Sequence, residues 1–488
     1  MNPLPDRAGF LAVATPGLRV PVVMDLPLGE QTPAGILARI GGETGFLLES
    51  GKGGRYSYIG GAAGRIWRSA GTHCAISGDD PMTATGDPFE FLRDAMRREN
   101  AVANPLLRNF SGGLVGYLAY DMARHIERLP ELAIDDLHLP ESCFLFIDRF
   151  YEIDHLEGRL RVAYVPSVND APPDAQYDGA VEILRAMVAV LERPAPAPPS
   201  HHQPAGPVES NMTPEEFAAI VGRAQEYIRA GDIFQANLSV RFSQRVGADP
   251  LTLYRALREV NPSPYMSCFL LPEMAIVSAS PELLVKVRGG MLETRPIAGT
   301  RPRGGNREED LANARELIEN EKERAEHLML VDLERNDIGR VARYGSVEVN
   351  EFMGIEEYSH VIHIVSNVRG ELAEGRDTFD AIRACFPGGT ITGAPKVRSM
   401  EIIEELEPCR RGLYTGAIGW IGFNGDAELD IAIRTIVIKD DIAYIQAGAG
   451  IVADSVPERE YAESVRKAEA ALEAVRRAHS EQAVIANG

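Results

Sequence analysis

Two acidic pairs stand out in this chain of 488 residues: Glu323 with Glu326 in EKERAEH, and Glu460 with Glu463 in PEREYAES. Both segments have helical periodicity, and at a spacing of three residues two carboxylates share one helix face. If the two helices meet, four carboxylates converge, which like-charge repulsion permits only around a hard divalent cation. Mg2+ is the expected ion. On spacing alone, two solvated helix faces account for the pairs better, as is usual for Glu in a stretch such as NEKERAEH. Arg434 lies in the apolar run LDIAIRTIVI, read as one strand, where a buried guanidinium needs a carboxylate opposite it, from the protein or from a substrate. Glu282 in SASPELLV is either the cap of a short turn or a carboxylic acid tuned to donate a proton, and structure is the commoner reason. His363 in SHVIHIVSNV has the apolar neighbours of a satisfied core histidine more often than of a catalytic one.

Glycines gather in RPIAGTRPRGG, FPGGTITGAPK and QAGAGIV. Such stretches let backbone N–H groups close on an oxyanion, although none has P-loop or dinucleotide spacing and ordinary turns explain them as well. The five cysteines, Cys74, Cys143, Cys268, Cys385 and Cys409, include no pair at metal-ligand or redox spacing. None sits in a nucleophile turn, so a built-in thiol that hydrolyses glutamine is absent, and any ammonia used has another source.

Fifty Lys and Arg against 71 Asp and Glu give a formal charge of −21. That field disfavours nucleic acid and acidic membranes, and it obliges an acidic substrate to find cations placed locally. At 45% hydrophobic and 25% charged residues, the composition is that of an ordinary folded protein. No apolar run approaches the ~20 residues that span a bilayer, and MNPLPDRAGF lacks a secretory leader's features. With an odd, scattered set of cysteines, a cytoplasmic setting is expected.

The elements that must position these residues divide at a Pro-rich stretch. Residues 1–192 form an N-terminal region, 193–212 a mobile linker, 213–478 a second region and 479–488 a tail. The linker's His201 and His202 are given no metal role. Before the linker, FLLES, YSYIGG, GGLVGYLAYD and CFLFIDRFYEID read as antiparallel strands, and EILRAMVAVLE as a helix. After it, Thr213-Pro-Glu-Glu216 marks the start of a helix running to about Ala230. Helices are expected from Arg307 to about Asp332 and from Glu458 to Ala478, among strands such as AIVSAS, AIGWIGF and IAYIQAGAG. Strands and helices do not alternate regularly, which gives α+β rather than a doubly wound parallel sheet.

Taken together, PIAGTRPRG, ERAEHLMLVDLERND, YSHVIHIVSNV, FPGGTITGAPKVRSMEIIEELEP, AIRT, QAGAGIVADS and EREYAES resemble the chorismate-utilising enzymes. The resemblance is dense from Thr213 to Arg476 and thinner upstream. It implies two large antiparallel sheets packed face to face with helices outside, and an active site in the second region. By motif, Glu326 and Glu463 would hold Mg2+, with Glu323 and Glu460 as outer partners through water. The metal would hold the ring carboxylate of chorismate. Arg434, Tyr414 and the backbone of Gly448, Ala449 and Gly450 would bind the enolpyruvyl carboxylate. Glu282 would protonate the departing 4-hydroxyl, while Gly299, Thr300, His363 and Thr390 line and orient the ring.

Members of this family that add water carry a lysine base where this chain resembles them at Gln235, which implies ammonia as the nucleophile. Asn237, the run Gly388 to Thr392 and the upstream motifs look more like aminodeoxychorismate synthase large subunits than anthranilate synthase large subunits. Ala298 occupies the place where some of the former carry a nucleophilic lysine, and alanine there is also the anthranilate synthase residue. The resemblance implies a separate glutamine amidotransferase as partner. Ser50 in LLES, with Asn261, Pro264, Tyr265 and Met266, is similar to the tryptophan pocket of anthranilate synthases, although packing between sheets explains these residues somewhat better. A non-catalytic chorismate-binding protein is a third reading, and the four intact glutamates and Arg434 count against it.

Overall fold

The computed structural model describes residues 2–61, 63–194, 196, 206–357 and 361–487, with side chains as far as residue 479. His201 and His202 lie outside the described residues. Among the described residues, two twelve-stranded sheets, antiparallel at every pairing, dominate, beside a two-stranded parallel ladder of Leu18–Arg19 with Asn100–Ala101. The expected α+β arrangement of two large antiparallel sheets with helices is the one observed.

Each sheet is assembled from both halves of the chain. In one, Gly113–Leu118 pairs with Ala417–Gly422, from Leu118 opposite Ala417 to Gly113 opposite Gly422. In the other, Gly45–Glu49 pairs with Tyr265–Leu270. On either side of these two seams all strands come from one half. The sheets face each other across an apolar core in which Trp67, Phe144 and Trp420 of one meet Phe46, Phe150 and Phe269 of the other. Phe110 bridges them, with ring centroids 4.9 Å from Phe150 and 5.5 Å from Trp420, a spacing in the range where aromatic pairs attract. The outer face of the second sheet is covered by helices through Phe10, Leu184, Phe217, Tyr254 and Val475.

Local chemistry explains where several elements begin. The helix Pro214–Ala230 opens on a capping box between Thr213 and Glu216 and closes on Gly231 at φ 83°, as the sequence leads one to expect. The segment from Arg307 to Asp332 departs from the single expected helix. It forms two, Arg307–Glu319 and Glu321–Gly339, because Asn320 turns extended and its side chain accepts the N–H groups of Lys322 and Glu323. The last helix, Pro457–Asn487, runs beyond the expected Ala478.

Two apolar runs read as single strands each split between the sheets. CFLFIDRFYEID forms Ser142–Ile147 in one and Arg149–Asp154 in the other, turning at Asp148. LDIAIRTIVI forms the end of Ala427–Ile431 in one and Thr435–Lys439 in the other. Arg434 is therefore not inside a strand but on the crossover, at φ 55°. The end of the Pro-rich segment is tied down, since Glu209–Ser210 pairs with Phe242–Ser243. No helix among the described residues is long and apolar enough to cross a membrane.

Candidate functional site

The two acidic pairs stand on the helices Glu321–Gly339 and Pro457–Asn487 and lie within electrostatic reach of each other. Burial and then the neighbouring Glu323 raise the pKa of Glu326, and Glu463 on the other helix adds to it, against Gln235 and Lys322. Glu460 is raised by burial and by Glu463, against the Ser455 hydroxyl and nearby lysines. The other two acids are already matched. Arg301 Nη1 lies 2.8 Å from Glu323 Oε1, and Lys467 Nζ 2.8 Å from Glu463 Oε1. The four carboxylates thus do not meet in one cluster. Among the described residues, no group of three or more His, Cys, Asp or Glu side chains is gathered closely enough to hold a metal ion.

Across from these acids lies the strand Ile442–Ile451. It pairs with Gln235–Arg245 along its whole length, but its other neighbour, Thr435–Lys439, reaches only Ile445. Its edge at Gly448, Ala449 and Gly450 is therefore open on that side. Lys467 Nζ donates to Gly448 O at 2.9 Å and so ties this edge to Glu463. Arg434 is held beside Tyr414 and Glu463. Burial lowers its pKa, and those two groups oppose the shift. Among the described residues its guanidinium makes one long hydrogen bond, Nη1 to Lys467 O at 3.5 Å. Tyr414 is raised by burial, while Arg411, 5.5 Å over its ring, and Arg434 pull it down.

A second wall is built by Ile297–Pro302. This strand bulges between Ala298 and Thr300, with Gly299 at φ 67°, a conformation glycine adopts without strain. The close approach also needs glycine: a Cβ there would lie 3.0 Å from Glu323 Oε2 and from Leu317. His363 Nδ1 lies 3.0 Å from Gly299 O and 3.2 Å from Thr300 Oγ1. A carbonyl can only accept, so Nδ1 carries the proton in this bond. Burial lowers the pKa of His363, keeping the ring neutral.

Glu282 is buried at the turn between Ala275–Ser280 and Leu283–Arg288, and that burial pushes its carboxyl up to about 7. The Thr390 hydroxyl beside it and the Ile297 N–H act against the shift, as does Lys467. Thr390 Oγ1 lies near Glu282 but out of hydrogen-bonding alignment, and two buried acceptors, Gln235 Oε1 and Asn237 Oδ1, also lack a partner. Gln235 and Asn237 stand two residues apart on one strand, and Thr390 lies beside Asn237. Gln235 Nε2 reaches Glu326 Oε1 at 3.4 Å, Asn237 Nδ2 reaches Thr390 O at 3.4 Å, and a Cβ on Gly450 would lie 2.2 Å from Gln235 Nε2. The constellation therefore offers cations and open N–H groups for anions, one half-ionised buried acid, and unsatisfied acceptors.

A family profile described as chorismate binding enzyme matches residues 44–473. The chain belongs to the chorismate-binding enzymes. Aminodeoxychorismate synthase component 1 of Bacillus subtilis is 49% identical over 425 residues, covering 86% of this chain and 89% of the relative. Anthranilate synthase component 1 of Mycolicibacterium smegmatis is 44% identical over 488 residues, covering 96% and 93%. The crystal structure of anthranilate synthase component I from Streptococcus pneumoniae TIGR4 superimposes with a TM-score of 0.77 at 36% identity, covering 86% of this chain and 92% of that one.

As a chorismate-binding enzyme the chain acts on a substrate with two carboxylates, and its motif residues gather in one region of the second half. Two members of that region were not singled out from sequence. Lys467 lies four residues after Glu463, a spacing at which a helical ion pair could have been read. Arg301 follows Thr300 directly, and nothing local signals that it pairs with Glu323. The remaining motif residues, Ser50, Pro264, Tyr265 and Met266, lie apart from this region. They line a separate cavity of about 280 Å3 at the seam between the halves, together with Glu49, Trp420 and the buried Asp430.

Proposed function

We propose that this chorismate-utilising enzyme is the large subunit of an aminodeoxychorismate synthase, joining ammonia to chorismate to give 4-amino-4-deoxychorismate. The observation that carries the nucleophile is the trio of unsatisfied acceptors, Gln235 Oε1, Asn237 Oδ1 and Thr390 Oγ1. Ammonia donates its N–H groups to such acceptors and keeps its lone pair for attack. Water would need a base to remove a proton, and Gln235 cannot serve as one. Four of the five cysteines are buried, and every one whose pKa is shifted is pushed up, so none is poised as a nucleophile. The ammonia then comes from a separate glutamine amidotransferase, in keeping with the words "component 1" in the names of the relatives.

In this reading Arg434, Tyr414 and the open edge at Gly448, Ala449 and Gly450 bind the enolpyruvyl carboxylate. Glu282, half-protonated near neutrality, gives its proton to the departing 4-hydroxyl. His363, neutral and fixed by Gly299 O, sets Thr300 against the ring, and Thr390 steadies Glu282 from the other side. The donor set fits Mg2+. Glu326 and Glu463, on two helices within electrostatic reach of each other, offer oxygen donors only, and Mg2+ takes one or two carboxylates and completes its shell with water and substrate. Glu326 and Glu463 would hold it, with Glu323 and Glu460 behind, and the bound ion would neutralise and orient the ring carboxylate.

The alternative, anthranilate synthase, is favoured by Ala298, which removes the lysine of some aminodeoxychorismate synthases, and by relatives at 44% identity covering more of the chain. The motifs at Asn237 and Gly388 to Thr392, with the 49% relative, weigh the other way. Mass spectrometry of the products from chorismate, Mg2+ and ammonium decides. Accumulation of 4-amino-4-deoxychorismate, turned to 4-aminobenzoate by an added lyase, is expected, and anthranilate alone would overturn the reading. The seam cavity, at the small end for a ligand site, is read as packing. Activity is expected to stay flat as tryptophan is added, and inhibition would make the cavity a feedback site.

A further inference from the structure

Behind Glu282 lies a second buried acid that this chemistry leaves unused. Glu334 is on the inner side of the helix Glu321–Gly339, about two turns beyond Glu326, and is only 5% exposed. A Cβ on Gly389 would lie 3.8 Å from its Oε1. Thr390, the next residue, presents its hydroxyl to Glu282. The two carboxyls therefore flank one step of backbone, close enough that charge on Glu282 opposes charge on Glu334. Thr294 faces Glu334 from the strand Met291–Thr294, and its buried hydroxyl closes no hydrogen bond. One turn further along the helix, Asp337 is ion-paired with Lys396, whose Nζ also donates to Cys385 O. Burial first, and then Asp337 and Glu282, push Glu334 up to about 8, against Lys396 and Thr294, so it carries a proton at neutral pH.

The reaction read above has a use for that proton. The C4–O bond breaks with its electron pair left on oxygen, which takes the proton of Glu282 and departs as water. The new C–N bond forms from the lone pair of ammonia, and the product nitrogen keeps its three protons as an ammonium. Glu282 is left ionised, and nothing in the reaction restores it, so each turnover draws one proton from outside the reactants.

We propose that Glu334, assisted by Thr294, is the internal donor that recharges Glu282, and that the Asp337–Lys396 pair one helix turn further on recharges Glu334. Glu334 does not touch substrate and acts through Glu282, so the inference rests on Glu282 being the general acid.

The test follows chorismate consumption, with ammonium and Mg2+, in Glu334→Gln, Glu334→Asp, Thr294→Val and Glu282→Gln across neutral pH. Glu334→Gln is expected to lower kcat by ~10-fold or more with the KM for chorismate unchanged, and to raise the solvent deuterium isotope effect, because recharging becomes slow. Glu334→Asp is expected to recover most of the rate. Wild-type kcat and an unaltered pH profile in Glu334→Gln overturn the proposal. Should that variant not fold, wild-type behaviour of Thr294→Val overturns it instead. Activity in Glu282→Gln refutes the general-acid reading itself, whereas an inactive Glu282→Gln beside a fully active Glu334→Gln refutes the recharging role alone. An infrared difference spectrum of wild type against Glu334→Gln at neutral pH reads the proton without turnover, and the lack of a protonated-carboxyl band there also overturns the proposal.

Discussion

Glu282 illustrates how environment can fit a common residue for the uncommon task proposed for it. A solvated glutamate is ionised at neutral pH, but full burial with only Thr390, one N–H and a distant Lys467 in compensation brings this one to about 7. Donation requires the protonated form, so activity is expected to fall as pH rises through about 7, when rates are expressed per unprotonated ammonia so that the nucleophile's own titration is removed. Glu282→Gln keeps the shape and loses the proton. A fall of ~100-fold or more in kcat with little change in KM is expected from steady-state kinetics. Sequence left Glu282 open between cap and acid because its spacing is the same in both cases and only burial separates them. His363 was ambiguous for the same reason, since its apolar neighbours say that it is buried but not that Gly299 O holds its Nδ1.

The elements were legible where their signals are local. The start at Thr213 follows from a cap, a proline and a returning glutamate within four residues, and nothing distant contradicts it. Asn320 is the opposite case. Its helix-ending turn interrupts a segment whose periodicity continues on both sides, and the break sets Glu323 in the first turn of a new helix. Asn320→Ala removes the cap from Lys322 and Glu323. A loss of about 1 kcal/mol in chemical denaturation is expected, with weaker Mg2+ dependence of activity as Glu323 shifts. The bulge at Gly299 brings backbone against Glu323 and presents a carbonyl to His363. Gly299→Ala forces a side chain into left-handed backbone, costing roughly 1–2 kcal/mol. It is expected to reduce kcat more than it reduces the melting temperature, which paired kinetics and calorimetry will read.

In the whole molecule, the motif residues that gather in one region all come from the second half, yet that half cannot close its own sheets. Without residues 1–192, the strands Ala417–Gly422 and Tyr265–Leu270 would each present a bare edge, and the core around Trp420 and Phe269 would lose its opposing aromatics. The segment 213–488 made alone is expected to aggregate in size-exclusion chromatography, while co-expression with 1–192 restores a folded complex. A monodisperse, cooperative fragment would contradict this. Chain order already carried the family, the acidic pairs, the glycine-rich edge and most helix starts, because each depends on residues within a turn or two of one another. It could not reveal that two apolar runs switch sheets at Asp148 and Arg434, since an apolar strand reads alike on either side of a core. Nor could it reveal that Arg301 claims Glu323, or that Glu334 lies behind Glu282. Those facts depend on distances between segments far apart in the chain and on how little water reaches them, and both exist only once the two sheets have closed.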